Sequence, residues 1–115
     1  MKRKLLILFI PFLLICFSSC SRKEYNLQIV GISKGLTNND YTFSIRNLED
    51  ADIKNAKITI NGKYKGEIPL IKKHDSVFIM TTFYYDSNGI PINCYKEKFS
   101  KILIETLTGY YEQYF

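Results

Sequence analysis

Two side chains, His74 and Cys94, are the first to consider as a source of chemistry. An imidazole close to a thiol lowers the pKa of the thiol and makes it a nucleophile. His74 is the only histidine of the chain, and Cys94 is the only cysteine after position 20. Both fall in predicted turns, with no catalytic signature around them. We therefore expect a solvated turn histidine, a partly buried free cysteine and no enzymatic activity.

Metal binding has an equally weak basis in the sequence. Asp86-Ser87-Asn88-Gly89 begins like a calcium loop, in which carboxylate and amide oxygens alternate. It lacks the third ligand and the distal glutamate of such a loop, so it predicts an Asx-type turn. One histidine and one cysteine cannot close a tetrahedral zinc site. We predict no metal and no cofactor.

Tyrosines are the more informative polar side chains. The chain has nine, including a pair beside the Asp86 turn and three in the last six residues. Adjacent strand residues point to opposite faces, so Tyr110 and Tyr111 cannot both fill a core. Tyrosine joins a flat apolar face to a polar tip, which suits protein partners and sugar rings. Edge-strand cover or membrane-proximal packing is the alternative. The predicted interaction surface comprises Tyr84, Tyr85, Tyr110, Tyr111 and Tyr114.

The first nineteen residues have the composition of an export signal. Residues 1–4 carry three positive charges, residues 5–17 are an unbroken apolar run, and two serines follow. This order is typical of a secretory signal peptide. A run of thirteen residues is short for a membrane-spanning helix, which needs about 20. We predict a helical signal peptide over residues 1–19.

The signal ends in Phe17-Ser18-Ser19-Cys20, which resembles the lipobox of bacterial lipoproteins, with Phe17 in place of the usual leucine. The resemblance implies that Cys20 receives a diacylglyceryl group and becomes the mature N-terminus. Two or more acyl chains hold a protein stably at a membrane. Ser21 is not the aspartate of inner-membrane retention, which implies the outer membrane with a periplasmic or surface-exposed domain. Cleavage as an ordinary secreted protein is the alternative.

Residues 25–115 make one predicted domain, joined to Cys20 by a polar tether over residues 20–24. From residue 20 onward there are thirteen basic and eleven acidic residues, a net charge of +2. This is too small and too evenly spread to indicate nucleic-acid binding. With a single cysteine beyond the anchor, no disulfide can form within the domain.

Alternation of apolar and polar residues predicts an all-β fold. Tyr41, Phe43 and Ile45 alternate with polar residues, and Asn61-Gly62 predicts a type I′ hairpin turn. We expect Pro69 to end the strand after that hairpin. Residues 76–85 are predicted to form a strand that is apolar on both faces, with Phe83 on the face of Val77 and Ile79, as in a central strand or one covered by a neighbour. Ile102, Ile104 and Thr106 are expected to face inward. Seven short strands favour an immunoglobulin-like antiparallel β-sandwich. The predicted strands are 25–32, 41–46, 56–60, 63–68, 76–85, 101–107 and 110–115.

Three motifs carry a family resemblance: residues 43–48 (FSIRNL), 53–64 (IKNAKITINGKY) and 83–89 (FYYDSNG). They are similar to small Bacteroidetes-like lipoproteins with a single immunoglobulin-like or fibronectin type III-like domain. The resemblance supports the fold and carries over no catalytic residue. We expect a lipid-anchored, non-enzymatic protein-interaction module of the cell envelope. A glycan-binding accessory lipoprotein is the alternative.

Overall fold

The computed structural model describes residues 22–35 and 39–115. The predicted signal peptide and Cys20 therefore lie outside the described residues. No helix within these two ranges is long and apolar enough to cross a membrane. Eight strands and one 3-10 turn, Thr81–Phe83, make up the regular structure. The strands are β1 Lys23–Glu24, β2 Leu27–Lys34, β3 Tyr41–Asn47, β4 Ile53–Ile60, β5 Tyr64–Ile71, β6 Ser76–Met80, β7 Lys101–Glu105 and β8 Gly109–Tyr114.

The strands form two sheets that pack face to face. One sheet has the order β1-β8-β7-β4-β5 and the other has the order β2-β3-β6. Every neighbouring pair is antiparallel except β1 and β8, which are parallel. The architecture confirms the prediction of an immunoglobulin-like β-sandwich, with the two-residue β1 as an addition to the seven expected strands.

The core lies between the sheets and is built from alternate residues of each strand. In β7, Ile102 and Ile104 are fully buried and pair with Ile60 and Ile58 of β4. The intervening Leu103 faces outward, as the period of two requires. The inward assignment of Ile102 and Ile104 is confirmed. The buried apolar set is Leu27, Tyr41, Phe43, Ile45, Ile53, Ala56, Ile58, Ile60, Tyr64, Ile68, Ile71, Ile79, Tyr84, Ile92, Cys94, Phe99, Ile102 and Ile104.

The predicted hairpin turn is present between β4 and β5. Asn61 and Gly62 have φ values of 53° and 74°, and the Lys63 N–H donates to the Ile60 carbonyl at 3.1 Å. Two successive positive φ angles define a type I′ turn. Pairing resumes at Ile60 opposite Tyr64, so Lys63 is one extra residue at the hairpin tip.

The expectation that Pro69 ends its strand is wrong. β5 continues through Pro69 to Ile71, which pairs with Ile53 of β4. Proline is tolerated here because β5 is an edge strand, where one side of the backbone needs no ladder partner.

The expectation of a single strand over residues 76–85, central or covered by a neighbour, is also wrong. β6 is an edge strand that pairs only with β3, and it stops at Met80. The Thr81 hydroxyl is buried and accepts a hydrogen bond from the Tyr41 N–H at 2.8 Å. This side-chain bond replaces the next ladder bond, and the chain turns through Thr81–Phe83. Phe83, expected on the same strand face as Val77 and Ile79, lies beyond the end of β6 and is exposed.

The N-terminal residues differ from the predicted polar tether. Lys23 and Glu24 form β1, which pairs with Gly109 and Tyr110 of β8. Tyr25 was predicted to open the first strand, but its N–H donates to the Tyr110 carbonyl at 2.7 Å, so it also belongs to this contact. The first long strand, β2, begins two residues later at Leu27 and reaches Lys34.

Candidate interaction surface

The structure does not bring His74 and Cys94 together. The turn that contains His74 meets the C-terminal end of β3, where the Asn47 N–H donates to the Asp75 carbonyl at 2.8 Å. Cys94 is buried at the other end of β3, where the Tyr41 hydroxyl donates to its carbonyl at 3.4 Å. The two contacts lie at opposite ends of the seven residues of β3, a strand about 20 Å long. A Cys–His nucleophile is therefore not formed.

Asp86 organises a turn rather than a cation site. Its Oδ1 accepts hydrogen bonds from the N–H groups of Asn88 and Ile90, both at 2.9 Å. This is the Asx turn that the sequence predicted. Within residues 22–35 and 39–115, no cluster of three or more His, Cys, Asp or Glu side chains could hold a metal ion.

Of the five tyrosines predicted to form the surface, Tyr84 lies in the core. It exposes 5 % of its surface, and its ring packs over the α-carbon of Gly66 in β5. Burial raises the pKa of Tyr84 to about 12. Tyr84 cannot contact a partner directly, but it fixes the backbone that carries the next residue.

The three tyrosines of β8 divide between the two faces of the sheet. Tyr111 pairs with Ile104, packs against the core and is half-buried. Tyr110 and Tyr114 face outward, beneath the guanidinium of Arg22 at 5.9 Å and the ammonium of Lys101 at 5.1 Å. Lys101 also pairs with Glu112 at 3.5 Å. The outer face at β8 is therefore a mixed-charge surface in which each outward tyrosine has a cation against one face of its ring, although Tyr114 stays 67 % exposed.

Exposed apolar side chains are concentrated elsewhere. Six of the eleven large exposed hydrophobic residues in the described ranges fall between positions 78 and 95. We call them the distal apolar segment: Phe78, Met80, Phe83, Tyr85, Ile90 and Tyr95. Only Tyr85 of this set belongs to the five predicted tyrosines.

The distal apolar segment is held by backbone contacts on both sides of Tyr85. Tyr85 and Lys65 exchange two backbone hydrogen bonds of 3.0 and 3.2 Å, and Tyr85 also bridges to Pro91. The Asp86 turn thus returns the chain upon itself and brings Ile90 back beside Tyr85. Because its neighbour Tyr84 is buried, Tyr85 points outward and is 45 % exposed.

Phe78 and Met80 lie on the outer face of the smaller sheet. They pair with Ser44 and Thr42 of β3, whose outward positions are polar, while Ile79 between them is buried. Phe78 is 62 % exposed. The polar alternation of β3 was the signal that could have identified them, because a strand that pairs with β3 must place alternate residues on the same outer face.

A cleft of about 450 Å³ opens beside the distal apolar segment. Its apolar wall includes Ile90 and Pro91, and its polar wall includes Asn93, Lys96 and Glu97. Such a combination offers hydrogen-bonding groups next to an apolar surface.

Glu97 ties this cleft to the hairpin tip between β4 and β5. Its carboxylate accepts hydrogen bonds from the Tyr64 hydroxyl at 2.6 Å and the Asn61 amide at 2.9 Å, and it pairs with Lys63 at 3.1 Å. Burial alone would raise the pKa of Glu97, but these three partners outweigh it and hold the pKa below the ordinary value of 4.5. The sequence had presented Asn61 only as a turn residue.

Asn61 itself uses both ends of its amide. Its Nδ2 also donates to the Lys98 carbonyl at 2.8 Å, and its Oδ1 accepts from the N–H groups of Ser100 and Lys101 at 2.8 and 3.1 Å. These hydrogen bonds connect the hairpin tip to residues 96–101 and to the start of β7, next to the cleft.

The fold defines the chain as an immunoglobulin-like β-sandwich with an aromatic surface on one end. No protein-family model, curated protein or solved structure matches it significantly.

Proposed function

We propose that the protein is a lipid-anchored lipoprotein of the cell envelope whose β-sandwich acts as a non-enzymatic protein-interaction module. The observation that carries this proposal is the position of the distal apolar segment. Tyr85 lies beside Lys65, at the start of β5, while Arg22 lies beside Glu105 and Thr106, at the end of β7. Lys65 pairs with Thr59 near the end of β4, whereas the hairpin that follows Thr106 shares a recess with Ile53 and Lys54 at the start of β4. An anchor that precedes Arg22 and lies beside this hairpin leaves Tyr85 toward the other end of the sheet.

The anchor is proposed at Cys20, in the outer membrane, as in the small bacterial lipoproteins that the sequence resembles. Cys20→Ser removes the thiol that would be acylated. We expect the variant to leave the membrane fraction and to lose incorporation of a labelled fatty acid, with Cys94→Ser as the matched control that keeps both. A Cys20→Ser variant that stays as membrane-bound as the wild type would contradict the anchor.

The interaction surface is proposed at the distal apolar segment. Aromatic residues are enriched at protein interfaces and supply most of the residues whose truncation weakens binding strongly. Exposed large apolar side chains that are concentrated in one part of a folded domain mark an interaction site, and six of the eleven in the described ranges fall between positions 78 and 95. The backbone of Tyr85 is held by its bridges to Lys65 and Pro91, and that of Ile90 by its hydrogen bonds to Asp86, which lowers the entropy lost on binding.

The proposal is tested by co-purification of envelope proteins with the lipidated chain. We expect a triple substitution of Phe83, Tyr85 and Ile90 by serine to reduce the recovery of a specific partner by at least about tenfold, since each buried anchor contributes about 1 kcal/mol or more. Leu48→Ser combined with Leu70→Ser, which removes exposed leucines elsewhere, is the control and should recover the partner. Equal recovery from both variants would contradict this surface.

Glycan binding is the second candidate, and the cleft beside Ile90 supports it. Asn93, Lys96 and Glu97 provide the donors and acceptors that a sugar requires next to an apolar wall. Retardation of the purified domain in polysaccharide gels, abolished by Lys96→Ala and retained by Tyr85→Ser, would favour glycan binding over a protein partner.

A further inference from the structure

The N-terminal end of the sandwich also bears on how the domain meets a membrane, and this inference rests on the anchor proposed at Cys20. The chain enters the described structure at Arg22, two residues after that cysteine. The Arg22 guanidinium donates to Glu105 Oε2 at 3.1 Å and to the Thr106 carbonyl at 3.4 Å. Because consecutive α-carbons lie 3.8 Å apart, the α-carbon of Cys20 is within about 8 Å of that of Arg22.

Residues 23–25, which follow Arg22, contact the β7–β8 hairpin directly. The Lys23 N–H donates to the Thr108 carbonyl at 3.1 Å. The Tyr25 ring lies against Gly109, where an added β-carbon would clash with the ring, and the Tyr25 hydroxyl is 2.5 Å from Thr106 Oγ1. A lipid attached at Cys20 would therefore hold this hairpin close to the bilayer.

The tip of that hairpin is an exposed leucine. Leu107 lies between two threonines and is 97 % exposed, more than any other large hydrophobic residue in the described ranges. It shares a surface recess with Lys54, an exposed lysine at the start of β4. Asp52 lines the same recess and keeps its negative charge, and its Oδ1 accepts a hydrogen bond from the Lys73 N–H at 2.8 Å.

We propose that Leu107 and Lys54 form a second membrane contact, in which Leu107 enters the acyl-chain boundary and the Lys54 ammonium meets lipid phosphates. Apolar side chains at the headgroup boundary and lysines near anionic lipids both strengthen binding to a bilayer surface. In this orientation the β7–β8 hairpin faces the bilayer, and the distal apolar segment faces away from it.

The test uses tryptophan as a reporter, because the chain contains none. Leu107→Trp and, as the matched control, Ile90→Trp are purified with their native lipid anchor and added to vesicles of brominated phosphatidylcholine and phosphatidylglycerol. Bromine quenches tryptophan only at close range. We expect Leu107→Trp to lose most of its emission and to shift to shorter wavelength, while Ile90→Trp keeps both.

Flotation of the same samples separates the two proposals. Protein that floats with the vesicles while the two tryptophans are equally unquenched would overturn the Leu107 contact and leave the anchor intact. Strong quenching of Ile90→Trp alone would overturn it as well, since the sandwich would then be inverted. Protein that fails to float would overturn the anchor and, with it, the membrane contact at Leu107.

Discussion

The ring of Tyr84 lies so close to Gly66 that a β-carbon at position 66 would be 2.6 Å from both Cδ2 and Cε2 of the ring. The contact joins β5 to the segment that follows β6. It requires a residue without a side chain at position 66, and it sets the direction in which Tyr85 projects.

Gly66→Ala should lower the free energy of unfolding by about 1 to 3 kcal/mol, because the added methyl group overpacks the interior. The backbone at position 66 has no positive φ, so the cost comes from the ring contact alone. Urea unfolding measures it. In a Tyr84→Leu background the same substitution should cost less, since contacting residues do not act additively. An equal cost in both backgrounds would show that Tyr84 does not occupy this position.

Tyr84 should also make the domain sensitive to alkaline pH. Its pKa is raised to about 12 in the folded protein, whereas an unfolded tyrosine ionises near 10. Between these values the unfolded chain releases the proton first, so stability is lost as the pH rises from 10 toward 12. The loss from this group approaches about 2 kcal/mol.

The measurement compares urea unfolding of the wild type and Tyr84→Phe at pH 8 and pH 11. We expect the wild type to lose more stability than the phenylalanine variant over this interval, because only the former carries the ionisable hydroxyl. Identical losses would mean that the Tyr84 hydroxyl ionises as readily in the folded protein as in the unfolded one.

Glu97 should make the stability of the domain fall as the pH decreases, in contrast to Tyr84, which makes it fall as the pH rises. Its pKa lies below 4.5 in the folded state, so its contribution to stability is present above that pH and is lost as the pH falls through the folded pKa. Glu97→Gln removes this dependence, and Glu67→Gln on the exposed face of β5 is the matched control. Acid titrations followed by circular dichroism should show that Glu97→Gln loses less stability than the wild type as the pH falls, and that Glu67→Gln loses as much as the wild type. A smaller loss of stability for Glu67→Gln alone would contradict the role assigned to the contacts of Glu97 with Asn61, Lys63 and Tyr64.

Ile104 tests the inward register of β7. Ile104→Ala should cost about 2 to 5 kcal/mol, because it leaves a cavity opposite Ile58. Leu103→Ala, on the next residue but the opposite face, should cost clearly less. Urea midpoints that fall equally for both variants would contradict the alternation.

Local patterns were sufficient to predict the sandwich. Alternation over residues 41–46 and the positive φ preferences of Asn61-Gly62 depend on neighbouring residues, and both are confirmed. The errors arose where a distant contact decides the outcome. β6 ends because the Thr81 hydroxyl bonds to Tyr41, forty residues away in sequence, and Lys23 and Glu24 form a strand because they pair with the distant β8.

The candidate surface was predicted only in part for the same reason. Residue type identifies Tyr84 and Tyr85 equally, but Tyr84 is buried by its contact with Gly66 and Tyr85 is exposed. Ile90 has no special residue type and joins the surface because the Asp86 turn brings it back to Tyr85. The Tyr84 contact joins residues eighteen apart and cannot be deduced from local patterns, whereas the predicted Asp86 turn could have indicated that Ile90 returns to Tyr85.

In-cell photo-crosslinking is the most decisive test of the interaction surface proposed at the distal apolar segment. A photoreactive phenylalanine analogue is placed at Tyr85 in the lipidated chain. Tyr114, exposed on the larger sheet beneath Lys101, and Tyr111, half-buried against the core, provide the comparison sites. If partners bind the distal apolar segment, we expect a discrete crosslinked protein band from Tyr85 that is absent or much weaker from Tyr114 and Tyr111. A discrete band from Tyr114 with none from Tyr85, or no protein product from any of the three, would contradict it.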